Sequence, residues 1–190
     1  MKRTALTALL YTVITGIVLG IGYPLAVTAL AHLLFPQQAA GSLIYRKGTL
    51  VGSRLIGQPF TGSGYFWSRP SAAGAGYDAA NSGGSNYAPT NTALIARVDA
   101  SVKTLNSAPG SSVPVDLVTA SASGLDPDIS PAAALYQVPR VSSQRHLPED
   151  IVRGLVVAHI TQRQFGILGE PRVNVLELNL ALDDLQRQTK

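Results

Sequence analysis

One stretch near the start of this chain decides its fold: residues 5–35, ALTALLYTVITGIVLGIGYPLAVTALAHLLF. It contains no aspartate, glutamate, lysine or arginine, whereas Lys2 and Arg3 stand just before it and Arg46 follows it. A helix of about 20 residues crosses the ~30 Å hydrocarbon core of a bilayer, because each residue advances the helix by ~1.5 Å. An open strand or loop would leave backbone polar groups unsatisfied in lipid, so the stretch predicts a membrane-spanning helix.

A cleaved signal peptide is the alternative, because Ala29 and Ala31 have the small-residue spacing of a signal-peptidase site. The apolar stretch is about twice as long as the ~7–15 residues of a signal peptide's apolar segment, which favours an uncleaved anchor. The positive charges on the two sides are nearly balanced. Lys2 and Arg3 lie closer to the membrane, which favours an N-terminus inside the cell and a domain outside.

Small or helix-bending residues recur every four positions along the predicted helix and form one ridge: Ala8, Thr12, Gly16, Gly20, Pro24 and Thr28. Gly16 and Gly20 have the spacing that lets membrane helices approach closely, so the ridge predicts contact with a partner helix. The alternative is that glycine and proline are simply common in membrane helices. Pro24 is expected to bend or loosen the helix, because it lacks an N–H and crowds the preceding turn.

The composition narrows the possible functions. The 190 residues carry a net charge of +4 without a basic block, so nucleic-acid binding has no support. The absence of cysteine removes disulfides, thiolate catalysis and cysteine-ligated metals. The three histidines are far apart in sequence, which argues against a histidine-rich metal site. Beyond the anchor, residues 1–35, the remaining residues 36–190 are enough for one compact domain with its own core.

The pattern of this second part predicts a small mixed α/β (α+β) domain outside the cytoplasm. We expect a hairpin at residues 42–52, a long ordered loop at 61–91 and an amphipathic helix at 91–105. The other expected elements are a strand at 113–119, a helix opened by Ser130 and Pro131 that stops before Pro139, a helix at 148–165 ended by Gly166, a strand at 173–178 and a last helix capped by Asn179.

The long loop carries Tyr65, Trp67 and Arg69, which are residue types that dominate protein interfaces. The alternative, which we favour, is that the aromatic residues form a small core beneath the loop.

A second loop carries Ser121, Ser123, Asp126 and Asp128 between a predicted strand and a predicted helix, a position where ligands often bind. Such side chains equally often satisfy the hydrogen bonds of their own turns, and the sequence leaves the two possibilities open.

The chain shows no sign of a catalytic site of its own. It has no phosphate-binding loop, no nucleophile elbow and no carboxylate pair in an apolar setting. Gln137 could bind a polar ligand such as a nucleotide, or could only tie down a loop. The rival interpretations are an anchored ligand-binding domain or a hydrolase using Ser121 or Ser123, which would need His146 or His159 within hydrogen-bond reach.

The chain resembles the C subunit of the bacterial potassium-transporting ATPase, the KdpC family. The resemblance covers nearly the whole chain and is carried by LIGQ at residues 55–58, YFWSRPS at 65–71, SGGSN at 82–86, PVDLVTASASGLD at 114–126, QVPRV at 137–141 and VNVLELNLALD at 173–183. It implies a single-span accessory subunit of the bacterial inner membrane. Its implied partners are a potassium-translocating subunit, an ATP-hydrolysing subunit and a small single-helix subunit.

The resemblance also implies a catalytic chaperone that raises the ATP affinity of the hydrolysing subunit, with ATP shared in a ternary complex and no cofactor bound permanently. This role conflicts with an external domain, which would not meet cytoplasmic ATP, so we favour a role in assembly over direct nucleotide binding. The expected contact residues are Gly16, Gly20 and Pro24 in the membrane and Tyr65, Trp67, Arg69, Ser121, Ser123, Asp126 and Asp128 in the domain.

Overall fold

The computed structural model describes residues 1–105 and 112–188. The contacts within the chain divide it into two compact units, Met1–Val51 and a second unit that begins at Gly52.

The first unit is dominated by one long helix. It comprises α1 (Lys2–Ile17), a π-helical turn (Val18–Gly22) and α2 (Tyr23–Leu34), which together span 33 residues with a mean hydropathy of 2.0. None of its residues is buried. The helix is therefore long and apolar enough to cross a membrane, in agreement with the sequence pattern.

The π-helical turn lies immediately before Pro24. The Tyr23 backbone N–H donates to the Val18 carbonyl, five residues back instead of four. Pro24 has no N–H to offer the Gly20 carbonyl, and a wider turn relieves the crowding that its ring causes. The predicted loosening of the helix at Pro24 is confirmed.

A short helix, α3 (Pro36–Ala39), follows where the sequence indicates only a linker. The predicted hairpin comes next, as β1 (Leu43–Arg46) and β2 (Thr49–Ser53). Its two turn residues, Lys47 and Gly48, have φ angles of 51° and 79°. Positive φ at both central positions matches the twist of a two-residue hairpin turn, which is why the hairpin can be predicted locally.

The second unit has four helices and a small antiparallel sheet among its described residues. The helices are α4 (Thr92–Leu105), α5 (Pro131–Arg145), α6 (Glu149–Ala158) and α7 (Val175–Gln188). The strands are β3 (Asp128–Ile129), β4 (Ile160–Thr161) and β5 (Arg172–Asn174), in the order β3-β5-β4. Val173, at the centre, pairs with Ile129 on one side and Ile160 on the other.

The core of this unit lies where α5 packs on α6 and α6 on α7. Its large side chains with no exposed surface come from all three helices, the central strand and the long loop: Phe66, Val138, Val141, Val152, Val156, Val173, Leu178 and Leu182. The predicted loop at residues 61–91 is confirmed, with one short 3-10 turn at Ala79–Asn81 as its only helical piece. The predicted α4 is confirmed as well.

Two helix boundaries predicted from the sequence are wrong. Helix α5 begins as expected, with the Ser130 hydroxyl accepting from the Ala133 N–H, but it passes through Pro139 and ends at Arg145. The proline removes one hydrogen bond, whereas continuing the helix buries Val138 and Val141 completely. Helix α6 ends at Ala158, eight residues before Gly166, which belongs instead to a turn.

Two predicted strands are also wrong. Residues 113–119 contain a 3-10 turn, Val115–Leu117, and no strand. The strand predicted at 173–178 stops at Asn174, whose side chain accepts from the Glu177 N–H and begins α7. Asn179, predicted as a cap, lies inside that helix. Apolar and polar residues alternate only in part at 173–178, so the pattern fits both the two-residue period of a strand and the ~3.6-residue period of a helix. The helix forms because it buries Leu178 and Leu182.

Replacing Gly124 is expected to destabilise the second unit. Gly124 is buried with φ +67°, and an added Cβ would lie 2.6 Å from the Ala73 nitrogen and 2.8 Å from the Gly83 oxygen. We therefore expect Gly124→Ala to lower the free energy of unfolding by about 2 kcal/mol or more. The measurement is urea unfolding followed by the fluorescence of Trp67, the single tryptophan.

Gly154→Ala is the matched control, because Gly154 is exposed on α6 and an added Cβ would meet no atom within 4 Å. This change should raise the free energy of unfolding by up to about 1 kcal/mol. Equal effects of the two substitutions would contradict the close packing around Gly124.

Candidate functional site

Two side-chain amides hold the middle of the long loop against the helices. The Phe66 N–H donates to Asn179 Oδ1 at 2.8 Å, and Asn179 Nδ2 donates back to the Phe66 carbonyl at 2.9 Å. Gln137 repeats this arrangement one residue later, with Trp67 N–H to Oε1 at 2.8 Å and Nε2 to the Trp67 carbonyl at 3.1 Å. Asn179 on α7 and Gln137 on α5 thus satisfy backbone groups that a neighbouring strand would otherwise pair.

Arginine side chains cover the two flanking aromatic rings. The Arg145 guanidinium lies 4.3 Å from the Tyr65 ring centre and forms an ion pair of 2.9 Å with Asp183. The Arg140 guanidinium lies 3.7 Å from the Trp67 ring centre. Burial lowers the pKa of Arg140 to about 10, so the side chain is still a cation at neutral pH. Cation–π contact fixes both rings in place.

A cavity of about 550 Å³ opens beside this cluster, lined by Trp67, Tyr136, Gln137 and Arg140, among others. Gln137 itself is only 1% exposed. Its oxygen accepts from Trp67 and from Arg140 Nη2, while its nitrogen donates to the Trp67 and Ala133 carbonyls. A nucleotide could bond to this amide only if one of these contacts were broken. The nucleotide contact at Gln137 stays a prediction.

The second predicted loop is tied to the long loop by Arg69. Its Nη1 lies 3.0 Å from Asp126 Oδ2, and its other nitrogens reach the Thr119 carbonyl and hydroxyl at 3.4 and 3.5 Å. The Ser71 hydroxyl adds a hydrogen bond of 2.6 Å to the Gly124 carbonyl. Arg69 and Asp126 therefore hold two loops together within the unit.

The serine and aspartate side chains of the second loop largely satisfy local groups. Ser121 accepts from the Gly124 N–H and Ser123 from the Leu125 N–H. Asp128 pairs with Arg172 at 3.0 Å and accepts from Asn174 Nδ2 at 3.2 Å, while burial raises its pKa. The structure brings Asp128 to the sheet rather than to the two serines.

The geometry gives no support to the hydrolase alternative. Within residues 1–105 and 112–188, the hydroxyls of Ser121 and Ser123 hydrogen bond to their own loop and to each other, and neither contacts a histidine. His159 Nδ1 hydrogen bonds to the Leu155 carbonyl. No group of three or more potential metal ligands occurs among the described residues.

The predicted contact residues of the membrane helix belong to the first unit. An added Cβ at Gly16 or Gly20 would meet no atom within 4 Å, so this ridge is open in the chain by itself. Pro24 lies one turn beyond, next to the π-helical turn. These three residues and the seven loop residues stay predicted contacts.

The residues that organise the loops are not evident from the sequence pattern. The pattern predicts only a helix cap for Asn179, and it predicts no role for Asn174, Arg145 or Asp183. Local pattern could not reveal them, because the partners of Asn179 and Gln137 are 113 and 70 residues away in the chain. The one available signal was an uncharged amide inside an otherwise apolar helix pattern, as for Asn179 between Leu178 and Leu182.

Comparison with known proteins gives a consistent result. The family model described as "KdpC: K+-transporting ATPase, c chain" matches residues 5–184. A protein of Acidobacterium capsulatum named "Potassium-transporting ATPase KdpC subunit" is 62% identical, over 94% of this chain and 97% of its own length. Proteins with the same name from Methylobacterium nodulans and Koribacter versatilis are 56% and 54% identical, over 92% and 98% of this chain and 95% and 97% of their own.

Removing the Asn179 amide is expected to weaken the fold. Asn179→Leu would leave the N–H and carbonyl of Phe66 buried without partners, at a cost of about 1–3 kcal/mol each. We expect the free energy of unfolding to fall by about 2–5 kcal/mol, measured by urea unfolding through Trp67 fluorescence.

Gln144→Leu on α5 is the matched control, because Gln144 is exposed and accepts only from the Ser63 hydroxyl at the surface. Its effect should stay within about 0.5 kcal/mol. A loss at Asn179 no larger than this would show that the amide does not support the long loop.

Proposed function

Because the chain belongs to the KdpC family, the C chain of K+-transporting ATPases, we propose that it is the non-catalytic accessory subunit of an ATP-driven, high-affinity potassium uptake complex. The main support is the extent of the match, since residues 5–184 include both the membrane helix and the folded unit. Its function is to stabilise assembly of the pump.

The proposed partners are the potassium-translocating subunit, the ATP-hydrolysing subunit and a small single-helix subunit. The open ridge at Gly16 and Gly20 supports a contact between helices inside the membrane. Helices in lipid gain little from hydrophobic burial and associate mainly through close packing, which small residues allow.

The proposed effect on ATP use is indirect. The chain raises the ATP affinity of the hydrolysing subunit, with ATP shared in a ternary complex and Gln137 as the candidate contact. An effect transmitted through the assembled subunits agrees better with the internal hydrogen bonds of Gln137 than direct binding does.

The proposed topology is a single-pass protein of the bacterial inner membrane, with its N-terminus in the cytoplasm and its folded domain outside. Lys2 and Arg3, directly before the apolar helix, support this orientation. An external domain could influence ATP hydrolysis only through the membrane helix or through its partner subunits.

The double substitution Gly16→Leu, Gly20→Leu tests the assembly role. The two leucine side chains would separate a packed partner helix, but they keep the apolar length, and an added Cβ at either position meets no other part of this chain within 4 Å. Insertion should be unchanged, while recovery of the other pump subunits with the tagged chain in mild detergent should fall severalfold.

Val13→Leu is the control, because Val13 lies away from the ridge, on a side of the helix suited to lipid. Its recovery of pump subunits should equal that of the wild type. Normal recovery with the double glycine variant would mean that the ridge is only a feature of composition.

The topology is tested by a single cysteine in a chain that has none of its own. Ala96→Cys lies on the exposed side of α4 and should react with a membrane-impermeant thiol reagent added to intact spheroplasts. Reaction only after lysis would place the domain in the cytoplasm, and would then allow direct contact with ATP.

A further inference from the structure

A hairpin arm projects from one edge of the small sheet. Strand β4 pairs with β5 through Ile160–Val173 and Thr161–Arg172, and the chain between them turns back outside the sheet. Every residue from 161 to 170, which we call the hairpin arm, is exposed.

The tip of this arm has a defined conformation. Gln164 and Leu168 exchange backbone hydrogen bonds of 2.9 Å in both directions, which closes the loop between them. Phe165 and Gly166 within the loop both have positive φ angles, of 53° and 78°. Arg163 forms an ion pair with Glu170 across the base of the arm. A bulky aromatic residue rarely adopts positive φ, and here that conformation leaves the Phe165 ring in solvent.

Three large apolar side chains occupy this tip. Phe165 is 91% exposed, Ile167 76% and Leu168 53%. Phe165 and Ile167 have the highest exposures of any large apolar residue described in the second unit. Together they present on the order of a few hundred Å² of apolar surface, which is the size of the largest apolar patch on a typical monomeric protein, and such a patch is often functional.

We propose that the tip, Phe165–Gly166–Ile167–Leu168, is a docking knob that inserts into an apolar pocket on another protein subunit of the potassium-transporting ATPase. The proposal rests on the function proposed above and adds a further contact of the folded unit to the predicted contacts of its loops and of the membrane helix.

The charges of the arm favour a protein pocket over a lipid surface. Residues 161–170 contain one cation, Arg163, and one anion, Glu170, and these two neutralise each other. Segments that bind a membrane surface usually combine apolar side chains with an excess of lysine and arginine, and the arm has no such excess and no tryptophan or tyrosine. A neutral apolar knob of fixed shape is instead suited to a dry pocket with complementary form.

The small area also argues against a second copy of this chain. Two convex tips would bury only a few hundred Å², well below the ~1,200 Å² of a stable interface between free proteins. A small contact is sufficient when the two partners are already tethered, because the membrane anchor raises the effective concentration of the domain beside its partner. The knob is therefore best matched to a subunit that the helix already holds nearby.

The first experiment measures recovery of the pump subunits with a tagged full-length chain. Phe165→Ser, Ile167→Ser should weaken the contact by about tenfold or more, as removal of a buried aromatic anchor does. The control is Val115→Ser, which removes an apolar side chain that is 65% exposed in a different segment. Its recovery should equal that of the wild type, and equal recovery with the double variant would overturn the proposal.

Unfolding in urea distinguishes a lost contact from a damaged domain. Because both residues point into solvent, the double variant should unfold at the wild-type urea concentration, as judged by Trp67 fluorescence. A clear shift to lower urea would overturn the proposal, because the tip would then support the fold of its own unit.

The second experiment identifies what covers the tip. Phe165→Cys carrying a benzophenone group keeps an apolar tip and can be cross-linked by light in the assembled complex in native membranes. A cross-link to one of the other pump subunits, identified by mass spectrometry, supports the knob, and the same label at Val115→Cys should give none. Cross-linking only to lipid, only to a second copy of this chain, or to nothing would overturn it.

The wild-type chain separates the two proposals. If the tagged wild type recovers no pump subunit, the proposed function itself fails. If the wild type recovers the subunits, Phe165→Ser, Ile167→Ser recovers them equally well and the label at position 165 cross-links to none of them, the accessory role stands and only the docking knob fails.

Discussion

The backbone of Phe66, which is buried, and of Trp67, which is half-buried, is the constraint on which the second unit depends. The four polar groups of these two residues lie against a core built mainly from helices, and no strand among the described residues runs beside them to pair them. Asn179 and Gln137 satisfy all four through hydrogen bonds of 2.8 to 3.1 Å. A buried N–H or carbonyl without a hydrogen-bond partner costs about 1–3 kcal/mol of folding free energy. These two side chains therefore determine where the loop can lie. Phe66 can then enter the core, and the rings of Tyr65 and Trp67 lie beneath Arg145 and Arg140.

This arrangement changes how the candidate contact residues are interpreted. Four candidate contact residues are of types common at interfaces: Tyr65, Trp67, Arg69 and Asp126. Each of them, however, already makes hydrogen bonds, ring contacts or ion pairs within the unit. They shape the surface more than they extend from it. The groups that point outward are of a different kind. They are the open ridge at Gly16 and Gly20 in the first unit and the apolar tip at Phe165 and Ile167 in the second.

The errors in the sequence interpretation share one physical cause. Pro139 is a strong local stop signal, but α5 continues through it because the apolar residues on both sides are buried where α5 packs against α6. The apolar pattern of residues 173–178 is compatible with a strand or with a helix, and the helix forms because Leu178 is buried in the core. The exposed residues after Ala158 resemble a continued helix in sequence, but the chain there pairs β4 with β5. In each case a distant partner outweighed a local preference.

The sequence by itself determined the features that depend on neighbouring residues: the apolar helix, its disturbance at Pro24, the hairpin turn at Lys47 and Gly48, the long loop and α4. It also carried enough family resemblance to indicate a potassium-pump subunit. Only the tertiary structure decided that Gln137 and Asn179 support the loop, that Arg69 joins Asp126, and that Phe165 stands in solvent. The reason is chain separation: the loop amides bond to residues 70 and 113 positions away, and only the folded packing of α5 and α7 brings these partners together.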